Sequence, residues 1–263
     1  MPRRGTMVRL PAETGARMTV RRLYVPMLPP AGGLVVLGEG PSRHVRVLRL
    51  RPGDEVMLFD GSGNAAHAHV KTLNRAVTCE AGERFAARSG PARVVLMLAI
   101  PKGVKLEECV RMATELGVDE IALMRSQRTI PRWDPERTRA RIDRLTRIAA
   151  EAAAQCERSD IPIVHDPMRC EEWLRRFPAE AKGVLFGARA KGAMEIDQAP
   201  GEVWCAVGPE GGFTDEEVAM FEDAGFAIAS LGERILRVDT AVAAALTLVQ
   251  DRLHEVFASS LTG

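Results

Sequence analysis

The sequence predicts an α/β protein in which a small all-β unit precedes a larger domain built on a parallel sheet. Three observations carry this. Between residues 20 and 84, short apolar runs are broken every few positions by turn-forming Pro, Gly, Asp and Ser. At Ser89-Gly90-Pro91 the rhythm changes, and beyond it runs of strand length alternate with longer stretches of helical period. The chain of 263 residues is too long for one minimal domain and has room for both units. The expected division is a tail at 1–17, a β-barrel unit at 18–88 and an α/β domain at 91–263.

In the first unit, strands are expected at 22–25, 34–37, 55–59, 65–71 and 77–85. Pro29-Pro30, Gly32-Gly33, Pro52-Gly53-Asp54 and Asp60-Gly61-Ser62-Gly63 supply the turns, as in a small barrel or sandwich. One interruption, 42–49, has helical period. Val45 and Leu48 can face inward there while Arg43, Arg46 and Arg49 recur on one outward stripe beside His44. Such a stripe suits a phosphate backbone, and Arg21 and Arg22 on the first strand add to it. A solvated helix face explains a run of arginines equally well.

The second unit opens with a continuous apolar run at 92–100, the mark of a strand buried on both faces. A helix over 105–116 follows and stops at Gly117, a residue suited to ending helices. Then come a strand at 120–124, a long helix at 134–156, a strand at 163–164, a helix at 169–177, and strands at 183–186 and 202–207. A helix at 215–224, a strand at 227–230 and a last helix at 240–257 complete the pattern. That last helix is alanine-rich and apolar on almost every side, so it requires burial all round, inside the domain or against a second subunit.

Composition narrows the function classes. A net charge of +1 gives no general argument for binding nucleic acid, so any basic surface comes from local clustering. Five cysteines without a C-x-x-C pair argue against a disulfide framework and a zinc site, and suit a reducing cytoplasm. His67 and His69 share a strand face but have no third ligand at suitable spacing, so no metal is expected. No run is long enough for a membrane span, and residues 1–17 carry charge and proline where a signal peptide needs an apolar core. There is no G-x-S-x-G, P-loop or dinucleotide fingerprint.

Two loops carry the chemistry. Gly208-Pro209-Glu210-Gly211-Gly212 leaves a strand end, where open α/β sheets bind ligands, and Thr214 with Glu217 forms a capping box for the next helix. Leu231-Gly232-Glu233-Arg234-Ile235-Leu236-Arg237 follows another strand, and Asp239-Thr240 is placed to cap the last helix. Arginines there recognise phosphate or carboxylate, and Ile235 and Leu236 can sandwich a flat heterocycle. The bland alternative makes the first loop a plain turn, Ile235 and Leu236 core, and the arginines surface.

Together with Arg22-Leu23-Tyr24, the block 44–49, Leu58-Phe59-Asp60-Gly61, Lys102-Gly103, the block 114–118 and Gln127-Arg128-Thr129, these loops resemble the RsmE family of 16S ribosomal RNA methyltransferases, within the SPOUT superfamily. The resemblance spans nearly the whole chain from Val20. It implies a PUA-like β-barrel for RNA, an α/β domain with a trefoil knot, a homodimer, and S-adenosylmethionine as cofactor. The implied reaction methylates N3 of one uridine of 16S rRNA, position 1498 in the RNA's numbering. It assigns cofactor binding to Phe186, Gly187, Gly208, Pro209, Glu210, Gly211, Gly212, Leu231, Gly232, Ile235, Leu236 and Thr240. Arg237 and Asp239 are the catalytic candidates, and Arg128 joins the RNA-contacting set. The family commonly has Glu at the positions of Asp239 and Ala154. The rival expectations are an RNA-binding assembly factor without transfer activity, and a relative that methylates another RNA.

Overall fold

Alternating burial builds the first sheet. The computed structural model describes residues 20–86, 90, 92–102, 105–129, 133–187 and 200–260; the tail expected at 1–17 lies outside the described residues. Strands β1 (Arg21–Tyr24) and β2 (Leu34–Val36) precede helix α1 (Glu39–Val47), followed by β3 (Glu55–Phe59), β4 (Asn64–Leu73) and β5 (Val77–Ala86). The sheet order is β1-β3-β4-β5-β2, with β1 parallel to β3 and the other pairs antiparallel. On β4, Ala68 and Val70 point inward while His67, His69 and Lys71 point out, the period of two expected of a half-buried strand. Val45 of α1 is fully buried against this core beside Leu23, Val56 and Leu58.

The second sheet is parallel and covered on both faces. Its elements are β6 (Arg93–Ala99), α2 (Lys105–Glu115), β7 (Glu120–Arg125), α3 (Pro135–Gln155), β8 (Ile163–Val164), β9 (Met168–Arg169), α4 (Cys170–Leu174), β10 (Lys182–Phe186), β11 (Glu202–Val207), α5 (Asp215–Asp223), β12 (Phe226–Ala229) and α6 (Val238–Ser260). The order is β12-β10-β11-β6-β7-β8, with β9 pairing beside β7. Val94, Leu96 and Leu98 of β6 meet residues of α2, α3 and α6, whereas Val95, Met97 and Ala99 meet an aromatic layer with Trp173, Trp204, Phe221 and Phe226. This two-sided burial explains the continuous apolar run. Gly183 of β10 lies so close to Phe226 that a Cβ would sit 2.6 Å from its ring, which is why this strand position carries no side chain.

Two expectations need correction. The helix expected at 169–177 is shorter, because Met168–Arg169 pairs with β7 and the helix begins at Cys170, anchored by the Trp173 indole N–H on the Leu123 carbonyl at 2.8 Å. Helix α6 begins at Val238 rather than 240, because Val238 is itself buried in the core. Within the chain α6 is buried along one side only, so burial inside the domain does not by itself account for its apolar character. Val242, Ala245, Leu246 and Val249 enter the core, while Thr247 and Leu248 remain exposed.

The two sheets meet at a built seam. Met57, Phe59 and Ala65 pack with Ala153, and with Tyr24, Ala154 and Ile161 around them. The backbone crosses there too, with Ile161 N donating to Gly61 O at 3.0 Å and Gly63 N to Ser159 O at 3.1 Å. The alanine at 154 is thus part of an apolar packing surface.

Candidate functional site

Because β12, β10 and β11 are neighbours and parallel, the segments leaving them emerge along one edge of the sheet. Gly187 N donates to Ala229 O at 3.1 Å, joining the ends of β10 and β12. After β12 the chain returns from the sheet edge to α6, which packs on β11 and α2, so 230–237 runs back past the end of β10. Ser230 and Leu231, with Thr240, Ala243, Ala244, Thr247 and Leu248 of α6, line a mostly apolar depression of about 500 Å³. That volume falls within the range of small-molecule sites.

The glycines have separate jobs. Gly232 has φ +107 and Gly212 φ +68, backbone states that L side chains rarely adopt, and a Cβ at either would meet open space. Gly212 N closes a turn on Pro209 O at 2.8 Å. Gly208 leaves room for the Phe213 ring, and Gly211 for the stem of Arg128. Gly187 faces open space.

Side chains divide similarly. Phe186 is buried in the core beneath the edge, and Pro209 is buried. Glu210 turns toward the start of α2, accepting from Lys102 N at 3.2 Å and pairing with Lys105 Nζ at 3.5 Å. Thr214 and Glu217 form the expected capping box. In the second loop Leu231 and Leu236 are half-buried, while Ile235 is 86% exposed. The Arg237 carbonyl accepts from Ala241 N at 2.8 Å, so Arg237 stands at the helix boundary, and Asp239 lies within the first turn rather than before it. There its negative charge is favoured by the helix dipole. Asp239 Oδ1 accepts from Thr240 N at 3.0 Å and lies 3.5 Å from Arg237 Nε, whose side chain is 70% exposed. Below them, burial and the nearby charge of Asp239 push the Cys109 thiol up to about 12, so it stays a neutral packing group.

The profile of the RNA methyltransferase domain family matches residues 88–250, and that of the RNA methyltransferase PUA domain matches 42–79. Among curated proteins, ribosomal RNA small subunit methyltransferase E of Synechocystis is 33% identical over 216 residues, covering 80% of this chain and 70% of that protein. The same-named protein of Mycobacterium bovis is 30% identical, covering 88% and 92%. The chain belongs to the RsmE family. Among solved structures, the RsmE of Neisseria gonorrhoeae, bound to S-adenosyl methionine, superposes with a TM-score of 0.82 at 30% identity, covering 89% of this chain and 98% of that one. A methyltransferase of Legionella pneumophila with bound cofactor gives the same TM-score at 28% identity and the same coverage. The small N-terminal sheet is thereby the PUA-like part of an RsmE fold, and the parallel sheet its SPOUT part.

Against this RsmE frame, the RNA-contacting candidates fall into different settings. Arg21, Arg43, His44 and Arg49 are exposed. Arg43 pairs with Glu39 one helical turn away, and Arg46 donates to the carbonyls of Asn74 at 2.9 Å and Arg75 at 3.3 Å. Arg22 sits at the seam, its guanidinium on Ser159 Oγ and 5.6 Å from the centre of the Phe59 ring. Burial lowers its pKa. Arg128 donates from Nη1 to Gly211 O at 2.6 Å and Phe213 O at 3.3 Å. Sequence reasoning missed Lys102, Lys105 and Glu217 as supports of the site. The capping-box pattern marked Glu217 for a helix start, but nothing local marks its second partner, Gln127 N at 2.7 Å.

Proposed function

We propose that this protein transfers a methyl group from S-adenosylmethionine to N3 of a uridine of 16S rRNA, position 1498 in the RNA's numbering, giving 3-methyluridine. The observation that carries the reading is the convergence of Gly187, the 208–212 loop and the 231–237 loop along one sheet edge, where the strands that precede them lie side by side and parallel. The fit to the cofactor is chemical: the half-buried Leu231 and Leu236 suit a flat adenine ring, and unhindered glycine backbones at 187, 212 and 232 allow close approach. Residues 18–88 would hold RNA and residues 91–263 the donor. The excursion of the chain to edge strand β12 and its return to α6 support a trefoil knot. The exposed side of α6, with Leu248 and Thr247, supports a homodimer pairing along that helix. A ribosomal substrate supports a cytoplasmic location.

S-adenosylmethionine supplies a sulfonium-bound methyl group already activated for transfer, so the protein needs no nucleophile of its own. Gly187, the 208–212 loop and the 231–237 loop would hold it and orient it toward the uridine, which would lower the entropic part of the barrier. Arg237 is exposed enough to reach RNA and is oriented by Asp239, so its guanidinium is placed to stabilise the negative charge that develops as the N3 proton leaves. Asp239 therefore serves as the partner of Arg237, and a shorter carboxylate than the family's usual Glu is sufficient for that task. Incubating small ribosomal subunits with labelled cofactor, followed by nucleoside analysis, tests the reading. The expected product is 3-methyluridine. No incorporation leaves an RNA-binding assembly factor, and a different methylated nucleoside leaves a relative with another target. A sedimentation or light-scattering mass equal to one chain would refute the dimer.

A further inference from the structure

We propose that Arg128 is a positioning residue for the glycine loop, setting the donor-binding wall from its far side rather than holding an RNA phosphate. The inference rests on the proposed use of S-adenosylmethionine. Beyond β7 the chain makes a tight turn closed by its own side chains: Thr129 N donates to Ser126 O at 3.0 Å, Ser126 N to Thr129 Oγ1 at 3.1 Å, and the two hydroxyls lie 2.8 Å apart. The turn presents Arg128 to a loop 83 residues further along the chain.

There Nη1 holds the carbonyls of Gly211 and Phe213 together. A peptide unit is planar, so fixing the Gly211 carbonyl also fixes the Gly212 N–H, which is held from the other side by Pro209 O at 2.8 Å. The arginine stem lies where a side chain at 211 would go: a Cβ there would stand 3.3 Å from Arg128 Cδ. Gly211 is therefore small because of Arg128, whereas Gly212 and Gly232 are glycines because of their backbone angles.

A second tie runs beside the first. Glu217 is 1% exposed and uses one carboxylate oxygen for Gln127 N at 2.7 Å and the other for Thr214 N at 3.0 Å. The 126–129 turn and the glycine loop are thus joined by a charged donor on one side and a buried acceptor on the other. The bonds to the two carbonyls occupy Nη1 and fix the plane of the guanidinium, which leaves Nε and Nη2 as its remaining donors.

The test is Arg128→Ala and Arg128→Lys in the full chain, measuring the Kd for S-adenosylmethionine by calorimetry and the Kd for a 16S rRNA fragment across a salt series. Arg128→Ala is expected to weaken donor binding about tenfold, the scale of one lost charged hydrogen bond, with RNA affinity and its salt slope unchanged. Arg128→Lys is expected to recover most of the loss, since one ammonium can donate to both carbonyls. Gly211→Ala is expected to weaken donor binding by less beside Arg128→Ala than in the wild-type background, because the stem that crowds its Cβ is gone. A loss of RNA affinity equal to or larger than the loss of donor affinity would overturn the proposal in favour of a phosphate contact. Wild-type donor affinity in Arg128→Ala would overturn it outright. Wild-type protein that binds no S-adenosylmethionine would instead refute the proposed activity, so the two failures are distinguishable.

Discussion

The two loops on either side of β10 are held in opposite ways. The glycine loop is gripped by groups from other parts of the chain: the Arg128 guanidinium on the Gly211 carbonyl, and the Lys102 N–H and the Lys105 ammonium on Glu210, while Glu217 ties Gln127 N to Thr214 N just beyond it. The 231–237 loop is held chiefly at its ends, by Ser230 Oγ with Gly232 and by the Arg237–Asp239 pair, and it leaves Ile235 in solvent. The first loop is braced throughout by the rest of the fold. The other presents apolar and cationic groups with little to cover them, the condition of a surface completed by what binds it.

If the glycine loop is a preformed wall, its support should belong to global stability. Glu217→Ala leaves the N–H groups of Gln127 and Thr214 without their acceptor and should lower unfolding free energy by about 2–3 kcal/mol in urea titrations. A smaller change than for an exposed helix residue would erase the contrast. In the other loop the effect should fall on binding. Gly232→Val forces a β-branched residue into φ +107, a strain of roughly 1–2 kcal/mol, and should weaken cofactor binding about tenfold by calorimetry. An equally large fall in melting temperature would mean this loop too is part of the folded scaffold.

Arg237→Ala should lower kcat by about tenfold at saturating RNA and leave cofactor Kd close to wild type, because the guanidinium points to solvent and not into the core. Unchanged turnover would remove Arg237 from the reaction. The smallest effect is expected from Ile235→Ala, within about 0.5 kcal/mol in unfolding free energy, since a side chain this exposed has little folded environment to lose. A destabilisation of several times that amount would show that the loop is covered in the protein as it exists in solution.

The same contrast explains what the sequence made legible. Strands announced themselves through β-branched runs bounded by Gly and Pro, and the loops at 208–212 and 231–237 through glycine and arginine at strand ends, because these are local signals. Hidden were the partners. Arg128 reads as one more exposed arginine beside the RNA set until a loop distant in sequence is folded against it. Arg22 likewise reads as part of a basic strand until Ser159 and Phe59 enclose it at the seam. The true start of α6 depended on Val238 finding the core, which no capping pattern encodes.

Helix α6 has a consequence for the order in which the molecule comes into being. Its residues are translated after every strand of the parallel sheet, yet Val242, Ala245, Leu246 and Val249 are needed to close the core over β11 and α2. While the ribosome still holds α6, the nascent domain carries an open apolar seam, and the floor of the depression does not yet exist. The depression therefore forms last, once α6 has docked on β11 and α2.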